Sequence, residues 1–460
     1  MSSLRFVVIG CFILGGVCLG QSDTLPNILF IMIDDLGWTD LHCQGNTALE
    51  TPHIDRLATQ GMRFTDAYAA APVCSPTRAA IMSGMSPARL AITNHIPDQT
   101  RFEPDNAVLR SAATVNHLAL DTVTIAERLK QAGYANAFIG KWHLSGTRDE
   151  MQTQEPKRRP EYQGFDLNIG GCCFGGPPTF FAPYKIPGIE TKQEGEYLPD
   201  RLADETIDFM RAHRDQPFFI ALWNYTVHWP MEAPADLIEK YKGRPGLKDI
   251  RYAAMIEAMD TAMGRIFAAL NELKLAQNTL VVFTSDNGAY GGVSDLAPLR
   301  ACKGYLYEGG IRVPLIVRWP GRVQAGSICS TPVISTDFYP TLLEVAKQSM
   351  RPEHPLDGVS LLPLFEQTGT LQRKALYFHY PNYAFHRDNR LGSAIREGDY
   401  KLIEYYDDGS VELYNLAQDI GEKTDLSGKK PHRARAMKTK LDQWLRESGA
   451  KMPIRIAKTQ

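Results

Sequence analysis

Four side chains with oxygen donors stand directly after two apolar runs that are typical of buried strands: Asp34, Asp35, Asp286 and Asn287. Ligands of open α/β sheets bind beyond the carboxyl ends of the strands, so we expect these side chains at one edge of a sheet. Adjacent buried carboxylates repel each other and are unfavourable to desolvate without a cation. Oxygen ligands suit a hard cation, calcium before magnesium, and disfavour zinc. Either pair alone is equally compatible with capping a helix or turn, and the two together predict a metal site.

A cysteine occupies the start of a predicted helix, in the pentapeptide Cys74-Ser75-Pro76-Thr77-Arg78. Proline is favoured in the first turn of a helix, which places Cys74 at or just before the helix N-terminus. Amide donors and the positive end of the helix dipole suit an anion site and a reactive sulfur there. Taken alone, a single cysteine is more often a small buried residue.

Cations and imidazoles follow other predicted strands. Lys141 and His143 come after the short run 136–139, His228 after 217–223, and Lys303 lies further along the chain. Strand alternation predicts that Lys141 and His143 share one face. A cation beside a titratable imidazole can bind an anion and move protons. A single lysine or histidine in a sequence is more often structural or solvated than catalytic. The prediction of a catalytic role therefore depends on their joint placement around a cysteine and a metal.

The elements that must position these residues follow from hydrophobic periodicity. Continuous apolar runs predict strands buried on both faces, at 27–33, 136–139, 217–223, 279–284 and 313–319. Helical patterns alternate with them, at 51–60, 124–133 and 250–273. The predicted fold is therefore α/β, with a large mixed, mostly parallel sheet sandwiched by helices.

The pattern changes near Pro363, where closely spaced short strands separated by turns replace the alternation. Such hairpins predict an antiparallel sheet, with strands at 376–380, 392–396, 400–406 and 411–416 and a closing helix at 431–447. We predict a main domain over 21–367 and a smaller C-terminal α+β domain over 368–460. Segment 145–200 is rich in glycine and proline and is interpreted as a binding loop.

Composition excludes several classes of protein. The 460 residues are 44% hydrophobic and 22% charged with a formal net charge of −2, which argues against disorder, a membrane-embedded chain and a nucleic-acid binder. Arg5 and the apolar run 6–19 predict a signal peptide over 1–20, with a lipoprotein cysteine at Cys11 as the alternative. Six cysteines remain after it; their disulfide pairing is open, and adjacent Cys172 and Cys173 lack zinc-ligand spacing.

The pentapeptide resembles the Cys-x-Pro-x-Arg signature of the type I sulfatases, in the alkaline phosphatase-like superfamily. The resemblance runs from about Asn27 to the C-terminal helix. It includes Asp34-Asp35-Leu36-Gly37-Trp38, Thr51-Pro52-His53-Ile54-Asp55-Arg56-Leu57, Gly140-Lys141-Trp142-His143, Thr284-Ser285-Asp286-Asn287-Gly288 and Gly309-Gly310-Ile311-Arg312-Val313-Pro314. An ordered set of this kind is far more specific than one motif.

The resemblance implies that Cys74 is converted to Cα-formylglycine, whose gem-diol attacks sulfur and forms a covalent sulfo-enzyme. It also implies that one Ca²⁺ is held by the four residues Asp34, Asp35, Asp286 and Asn287. Arg78 and Lys141 would stabilise the formylglycine hydrate, His143 would act as the base, and Lys303 and His228 would bind the sulfate, with His228 as the acid. The family usually has two glycines before this lysine, and here Ala301 and Cys302 replace them.

The resemblance further implies a sulfuric ester hydrolase that cleaves a sulfate monoester, on a carbohydrate of the galactose or N-acetylgalactosamine type or on an aryl sulfate. Segment 168–184 is expected to form pocket wall, and the aromatics and cations of 379–387 suit a sugar, although a surface loop is an equal alternative. The signal peptide predicts a secreted or periplasmic protein. We expect no nucleic-acid partner and, for the mature form, no membrane partner. The resemblance implies maturation by a formylglycine-generating or anaerobic enzyme. The alternatives are a phosphatase or phosphodiesterase of the same superfamily and an unmodified, non-enzymatic glycan-binding protein.

Overall fold

The computed structural model describes residues 24–97, 102–351 and 353–457. The predicted signal peptide over 1–20 lies outside these ranges. Within them, no helix combines the length and apolarity that crossing a membrane requires.

Strands and helices alternate over most of the chain. In chain order the strands are β1 (Asn27–Ile33), β2 (Met62–Phe64), β3 (Ala67–Tyr68), β4 (Leu109–Arg110), β5 (Ala135–Gly140), β6 (Leu167–Ile169), β7 (Phe218–Trp223), β8 (Thr279–Ser285), β9 (Leu315–Arg318), β10 (Ser327–Cys329), β11 (Val333–Ile334), β12 (Ala375–Tyr380), β13 (Gly392–Glu397), β14 (Tyr400–Tyr405), β15 (Val411–Asn415) and β16 (Ile454–Arg455). The helices are α1 (Pro52–Gln60), α2 (Cys74–Ser83), α3 (Pro87–Leu90), α4 (Ile125–Gln131), α5 (Leu198–Ala212), α6 (Ala235–Lys240), α7 (Ile250–Glu272), α8 (Glu308–Ile311), α9 (Phe338–Val345), α10 (Leu362–Phe365) and α11 (Pro431–Glu447).

Eight strands form the central sheet in the order β10-β2-β9-β8-β1-β7-β5-β6. Strand β1 pairs in parallel with both β7 and β8, and β9 is the strand that runs against its neighbours. Every residue of β1, β7 and β8 is buried, because helices cover both faces of a parallel sheet. The predicted mixed, mostly parallel sheet is confirmed.

The two faces of β1 contribute to different cores. Leu29, Ile31 and Ile33 pack with α1, α5 and α7 on one face. The alternate residues of β1 pack with α2, α4 and α9 on the other face. Since each fully buried aliphatic side chain contributes roughly 1.5–3 kcal/mol, this sandwich holds the strand ends rigidly in place.

A separate four-stranded antiparallel sheet, β12-β13-β14-β15, follows. One of its faces packs against residues from the first part of the chain, including Val73 and Ile311. The other face packs against Met437 and Leu441 of α11. The predicted C-terminal α+β unit is therefore present, while its boundary at 367/368 stays a prediction.

Segment 145–200 is largely irregular, as predicted, although it contains short 3₁₀ turns and β6 and ends in the start of α5. The six cysteines in the described part of the chain are all free thiols. Adjacent Cys172 and Cys173 are buried in the core that includes α5 and α7, which is the small-hydrophobe role of a buried cysteine.

Candidate active site

The candidate residues converge at the carboxyl edge of the central sheet. Asp34 and Asp35 follow β1, and Asp286 and Asn287 follow β8. All four are buried. Because β1 and β8 are adjacent and parallel in register, their ends bring residues that are some 250 positions apart into contact: the Asp35 amide donates to Asp286 Oδ1 at 3.2 Å (sequence separation 251).

Cys74 is the first residue of α2, and Pro76 is its third. The side chain is buried, and Sγ lies 3.7 Å from Asp34 Oδ1. Ligand atoms of Asp34, Asp35, Cys74 and His228 all lie within 4.8 Å of one another. Burial raises the pKa of the Cys74 thiol to about 12, so the unmodified sulfur is protonated in spite of its place at a helix N-terminus.

Two cations bind the carboxylates directly. Arg78 lies one turn after Cys74 on α2, and its Nε and Nη2 donate to Asp286 Oδ2 at 2.9 and 2.6 Å. Lys141 Nζ donates to Asp34 Oδ2 at 2.6 Å. Arg78 Nη1 also donates to the Lys141 carbonyl at 2.5 Å, which ties α2 to the segment after β5.

A third cation, Lys303, donates from Nζ to Asp35 Oδ2 at 2.7 Å. It lies in the loop before α8, and its amide donates to the Ala289 carbonyl at 2.9 Å. Ala301 adopts a φ of 61°, in the left-handed region that glycine favours. The backbone thus takes a glycine-like path without a glycine, and Lys303 reaches the carboxylates.

The buried carboxylates differ in their tendency to ionise. Burial raises the pKa of Asp34 to about 8, although Lys141 opposes it. Burial also opposes ionisation of Asp35 and Asp286, but their neighbouring cations prevail: Lys303 lowers the pKa of Asp35, and Arg78 holds the pKa of Asp286 far below its usual value. Asp35 and Asp286 therefore carry negative charge that Lys303 and Arg78 compensate, whereas burial favours the protonated form of Asp34.

The hydrogen bonding of Asn287 shows whether these residues could hold a metal ion. Its Nδ2 donates to Asp35 Oδ1 at 2.7 Å and to the Gly288 carbonyl at 2.9 Å. Its Oδ1 is buried and has no hydrogen-bond partner in the described structure, and a buried acceptor of that kind requires one. Three carboxylates with an unsatisfied amide oxygen match the ligands of a hard cation.

The two histidines are both held as neutral imidazoles. His143 directs Nε2 at the Ile96 carbonyl, so that nitrogen carries the proton, and buried Nδ1 is left without a hydrogen-bond partner in the described ranges. Burial, reinforced by Lys141, holds the pKa of His143 well below its usual value. Strand β5 ends at Gly140, so strand alternation does not explain how Lys141 and His143 are placed.

His228 follows β7 and is partly exposed, whereas Asp35 beside it is fully buried. Its Nδ1 donates to the Trp229 carbonyl at 2.9 Å, and its Nε2 lies 3.8 Å from Asp35 Oδ2. Burial beside Lys303 lowers the pKa of His228 to about 3. His228 is therefore a neutral imidazole that carries its proton on Nδ1 and has its unprotonated Nε2 near Asp35.

The two histidines and the strand ends are held by further contacts that the sequence did not indicate. A Cβ on Gly175 would lie 2.7 Å from His143 Nε2, and a Cβ on Gly176 would lie 2.6 Å from His228 Nδ1. The Tyr252 hydroxyl donates to the Asp35 carbonyl at 3.2 Å. A glycine in an irregular loop and a tyrosine on a helix carry no sequence signal for these contacts.

Comparison with known proteins identifies the family. A family model described as Sulfatase matches residues 26–348, and one described as N-sulphoglucosamine sulphohydrolase, C-terminal, matches residues 302–450. A sulfatase from Formosa agariphila is 33% identical, with 92% of this chain and 89% of the relative covered. The N-acetylgalactosamine-6-sulfatase of Sus scrofa is 31% identical, with 95% and 83% covered.

Solved structures show the same architecture. Ps i-CgsB in complex with k-i-k-neocarrahexaose has a TM-score of 0.78 at 28% identity, with 92% of this chain and 93% of that chain covered. The phosphonate monoester hydrolase of Agrobacterium radiobacter has a TM-score of 0.68 at 19% identity, so the fold alone does not decide the reaction. Fold and site together define an enzyme of the alkaline phosphatase-like class. The chain belongs to the sulfatase family within that class and is a sulfatase.

Proposed function

We propose that this sulfatase hydrolyses sulfate monoesters of carbohydrates, of the galactose or N-acetylgalactosamine type, after Cys74 has been converted to formylglycine. The observation that carries the proposal is the position of Cys74, with Sγ 3.7 Å from a buried aspartate and His228 in the same cluster. In this two-electron oxidation –CH₂SH becomes –CHO and the sulfur leaves as hydrogen sulfide, so a separate maturation enzyme must supply both the oxidant and the oxygen atom. The hydrated aldehyde supplies two hydroxyls on one carbon, one for attack on sulfur and one for release of sulfate.

The metal is proposed to be calcium, held by Asp34, Asp35, Asp286 and Asn287. A bound Ca²⁺ would supply a Lewis acid that draws charge from the sulfate oxygens. Loss of the Cys74 sulfur removes the soft ligand from the cluster, and the remaining carboxylate and amide oxygens favour a hard cation over zinc. The unsatisfied Asn287 Oδ1 supports this assignment.

We assign the remaining catalytic roles to side chains of this protein. Arg78 and Lys141 orient the polar head of residue 74, and His143 takes a proton at the free Nδ1. Lys303 binds the sulfate and His228 protonates the leaving alcohol. Since Lys303 lowers the pKa of His228, a sulfate that neutralises Lys303 favours the protonated imidazole.

The substrate class is supported by the relatives. One is named N-acetylgalactosamine-6-sulfatase, and a structural neighbour was solved with a neocarrahexaose. We propose that the protein acts outside the cytoplasm, as a secreted or periplasmic enzyme, because residues 1–20 have the pattern of a signal peptide.

Mass spectrometry of the tryptic peptide that contains Cys74, from natively expressed protein, tests the proposal directly. We expect the peptide to lack sulfur and two hydrogens and to carry one additional oxygen. Cys74→Ala should abolish turnover of sulfate esters while circular dichroism and melting temperature stay close to those of the parent. Unmodified cysteine in a protein without turnover would contradict the proposal and favour the glycan-binding alternative.

A phosphatase or phosphodiesterase remains the second candidate. The phosphonate monoester hydrolase neighbour shares the fold. Two features disfavour this candidate: Cys74 lies in the sulfatase pentapeptide, and the four proposed metal ligands are oxygen donors rather than histidines. Higher kcat/KM on phosphate esters than on matched sulfate esters would establish that candidate instead.

A further inference from the structure

Three aromatic side chains form a continuous surface beside the candidate active site. They are Trp229, Tyr290 and Phe385, and we refer to them as the aromatic wall. The rings of Tyr290 and Phe385 are stacked, with centroids 5.2 Å apart and an interplanar angle of 13°. Trp229 meets Tyr290 edge to face, with centroids 6.1 Å apart. The wall thus presents more than one ring to solvent.

Each end of the wall adjoins a residue that we propose binds the sulfate. Lys303 Nζ lies 5.8 Å from the centroid of the Phe385 ring. Trp229 directly follows His228, and its carbonyl accepts the His228 Nδ1 proton at 2.9 Å. A group attached to a sulfate held by Lys303 and His228 therefore leaves the centre along this surface.

The wall is exposed although its side chains are apolar. Trp229 retains 41% of its surface exposure, and Tyr290 and Phe385 are partly exposed. Its members come from separate places in the fold: Trp229 follows β7, Tyr290 follows β8, and Phe385 follows β12 of the C-terminal sheet. Aromatics that converge from two sheets at the mouth of a polar site indicate a ligand surface rather than scattered exposure.

The edge of the wall is polar. The Arg251 guanidinium lies 5.9 Å from the Trp229 ring centroid and is paired with Asp249 at 2.6 Å. His386 adjoins Phe385 and stacks on Tyr305 at 4.4 Å between centroids. A pyranose of the galactose type has an apolar C–H face opposite its axial 4-hydroxyl and further hydroxyls around its rim, so it needs both an aromatic face and hydrogen-bonding groups around it. A steroid or simple aryl group would instead require an enclosed apolar pocket.

We propose that the aromatic wall binds the pyranose ring of a sulfated saccharide and thereby determines substrate specificity. The inference deepens the proposed function and rests on it for the position of the sulfate. Stacking orients the ring, and the orientation decides which sulfate position reaches residue 74.

The test compares Trp229→Ala and Phe385→Ala with the matched control Tyr162→Ala, an exposed tyrosine in a 3₁₀ turn that makes no ring contact with the wall. Substrates are sulfated galactose and N-acetylgalactosamine oligosaccharides, and inorganic sulfate serves as a competitive inhibitor that probes the sulfate position alone. We expect kcat/KM on the oligosaccharides to fall roughly 10- to 100-fold in both wall variants, mainly through KM. Trp229→Phe should restore part of the loss, and the inhibition constant for sulfate should change by less than about twofold.

Parental kcat/KM in the wall variants would overturn the proposal. So would a parental enzyme that prefers steroid or simple aryl sulfates to every sulfated sugar and loses that preference in the same variants. A binding arm separates failure of the wall from failure of the proposed function: Cys74→Ala protein is titrated calorimetrically with the same oligosaccharides, with and without Trp229→Ala. Binding that depends on Trp229, found together with a parent protein that carries residue 74 intact and shows no turnover, supports the wall and contradicts the hydrolase. No binding in either protein overturns the wall.

Discussion

At the scale of single residues, the site is a balance of buried charges. Three fully buried carboxylates, Asp34, Asp35 and Asp286, lie against buried Lys141, Arg78 and Lys303. Removing one partner of a buried ion pair leaves an uncompensated charge, which is strongly destabilising. Among the four proposed metal ligands, the Oδ1 of Asn287 is buried without a hydrogen-bond partner in the described structure, and a cation is a partner that would satisfy it.

A metal-dependence experiment follows from this arrangement. We expect chelator-treated protein to melt at a lower temperature, and added calcium to restore the loss. A ligand at 100 times its Kd stabilises the folded state by about 2.7 kcal/mol. Asp35→Asn should remove most of the calcium-dependent shift in differential scanning calorimetry, because it deletes a charged ligand.

The matched control is Asp215→Asn, which changes a carboxylate that is 90% exposed and should leave the calcium shift intact. A shift produced by zinc and not by calcium would refute the assignment of the ion. Equal calcium shifts in the parent and in Asp35→Asn would refute the assignment of this ligand.

At the scale of elements, an irregular loop positions the two histidines. Residues Gly175 and Gly176 pass so close to His143 and His228 that neither position has room for a Cβ. The Tyr225 hydroxyl, at the end of β7, donates to the Gly170 carbonyl at 3.0 Å, which ties the same loop to the sheet. The loop therefore packs directly against both imidazoles.

Gly176→Ala should displace His228 with little effect on folding. A misplacement of about 1 Å at a catalytic group lowers the rate by roughly 10²-fold, so we expect kcat/KM on a sulfate ester to fall by about that factor. Steady-state kinetics and melting temperature are the measurements. Gly428→Ala, where an added Cβ meets no atom within 4 Å, is the control; kinetics as fast in Gly176→Ala as in that control would contradict the positioning role.

At the scale of the whole molecule, a buried ionic cluster joins the two sheets. Lys401 of β14 contacts Glu308 of α8 and Glu422, each at 2.9 Å. Burial opposes ionisation of Glu308, but Lys401 and nearby arginines lower its pKa to about 2. Burial raises the pKa of Glu422 to about 7. Lys401 thus pairs with two buried carboxyl groups, and its pair with Glu308 crosses the contact between the C-terminal sheet and the rest of the fold.

Lys401→Met should lower the free energy of unfolding by about 3–5 kcal/mol, because Glu422 loses its cation and Glu308 keeps only its arginines. The pKa of Glu422 in the folded state, already raised by burial, then rises further, so the folded state binds more protons than the unfolded chain and its stability falls as pH rises. We therefore expect a larger loss near pH 8 than near pH 5 in urea unfolding. Lys423→Met, at an exposed position, should change stability by less than about 0.5 kcal/mol; a pH-independent loss in Lys401→Met would contradict the argument.

Much of the architecture was predictable from local pattern. Strand β1 and helix α11 have the predicted bounds, Asn27–Ile33 and Pro431–Glu447, because burial on two faces and burial on one helical face each leave a periodic trace in the sequence. The placement of Asp34 and Asp286 at one sheet edge followed from the rule for parallel strands. The signature around Cys74 indicated the family.

The remaining features depend on contacts between distant positions. Trp229, Tyr290 and Phe385 form one wall only because the ends of β7, β8 and β12 meet, and no local pattern encodes that meeting. The same holds for the close approach of Gly176 to His228 and for the unsatisfied Oδ1 of Asn287. Residue types and their periodicity decide which elements form and what chemistry they carry; strand order and loop packing decide which side chains share a space, since such contacts join positions that are not neighbours in the chain.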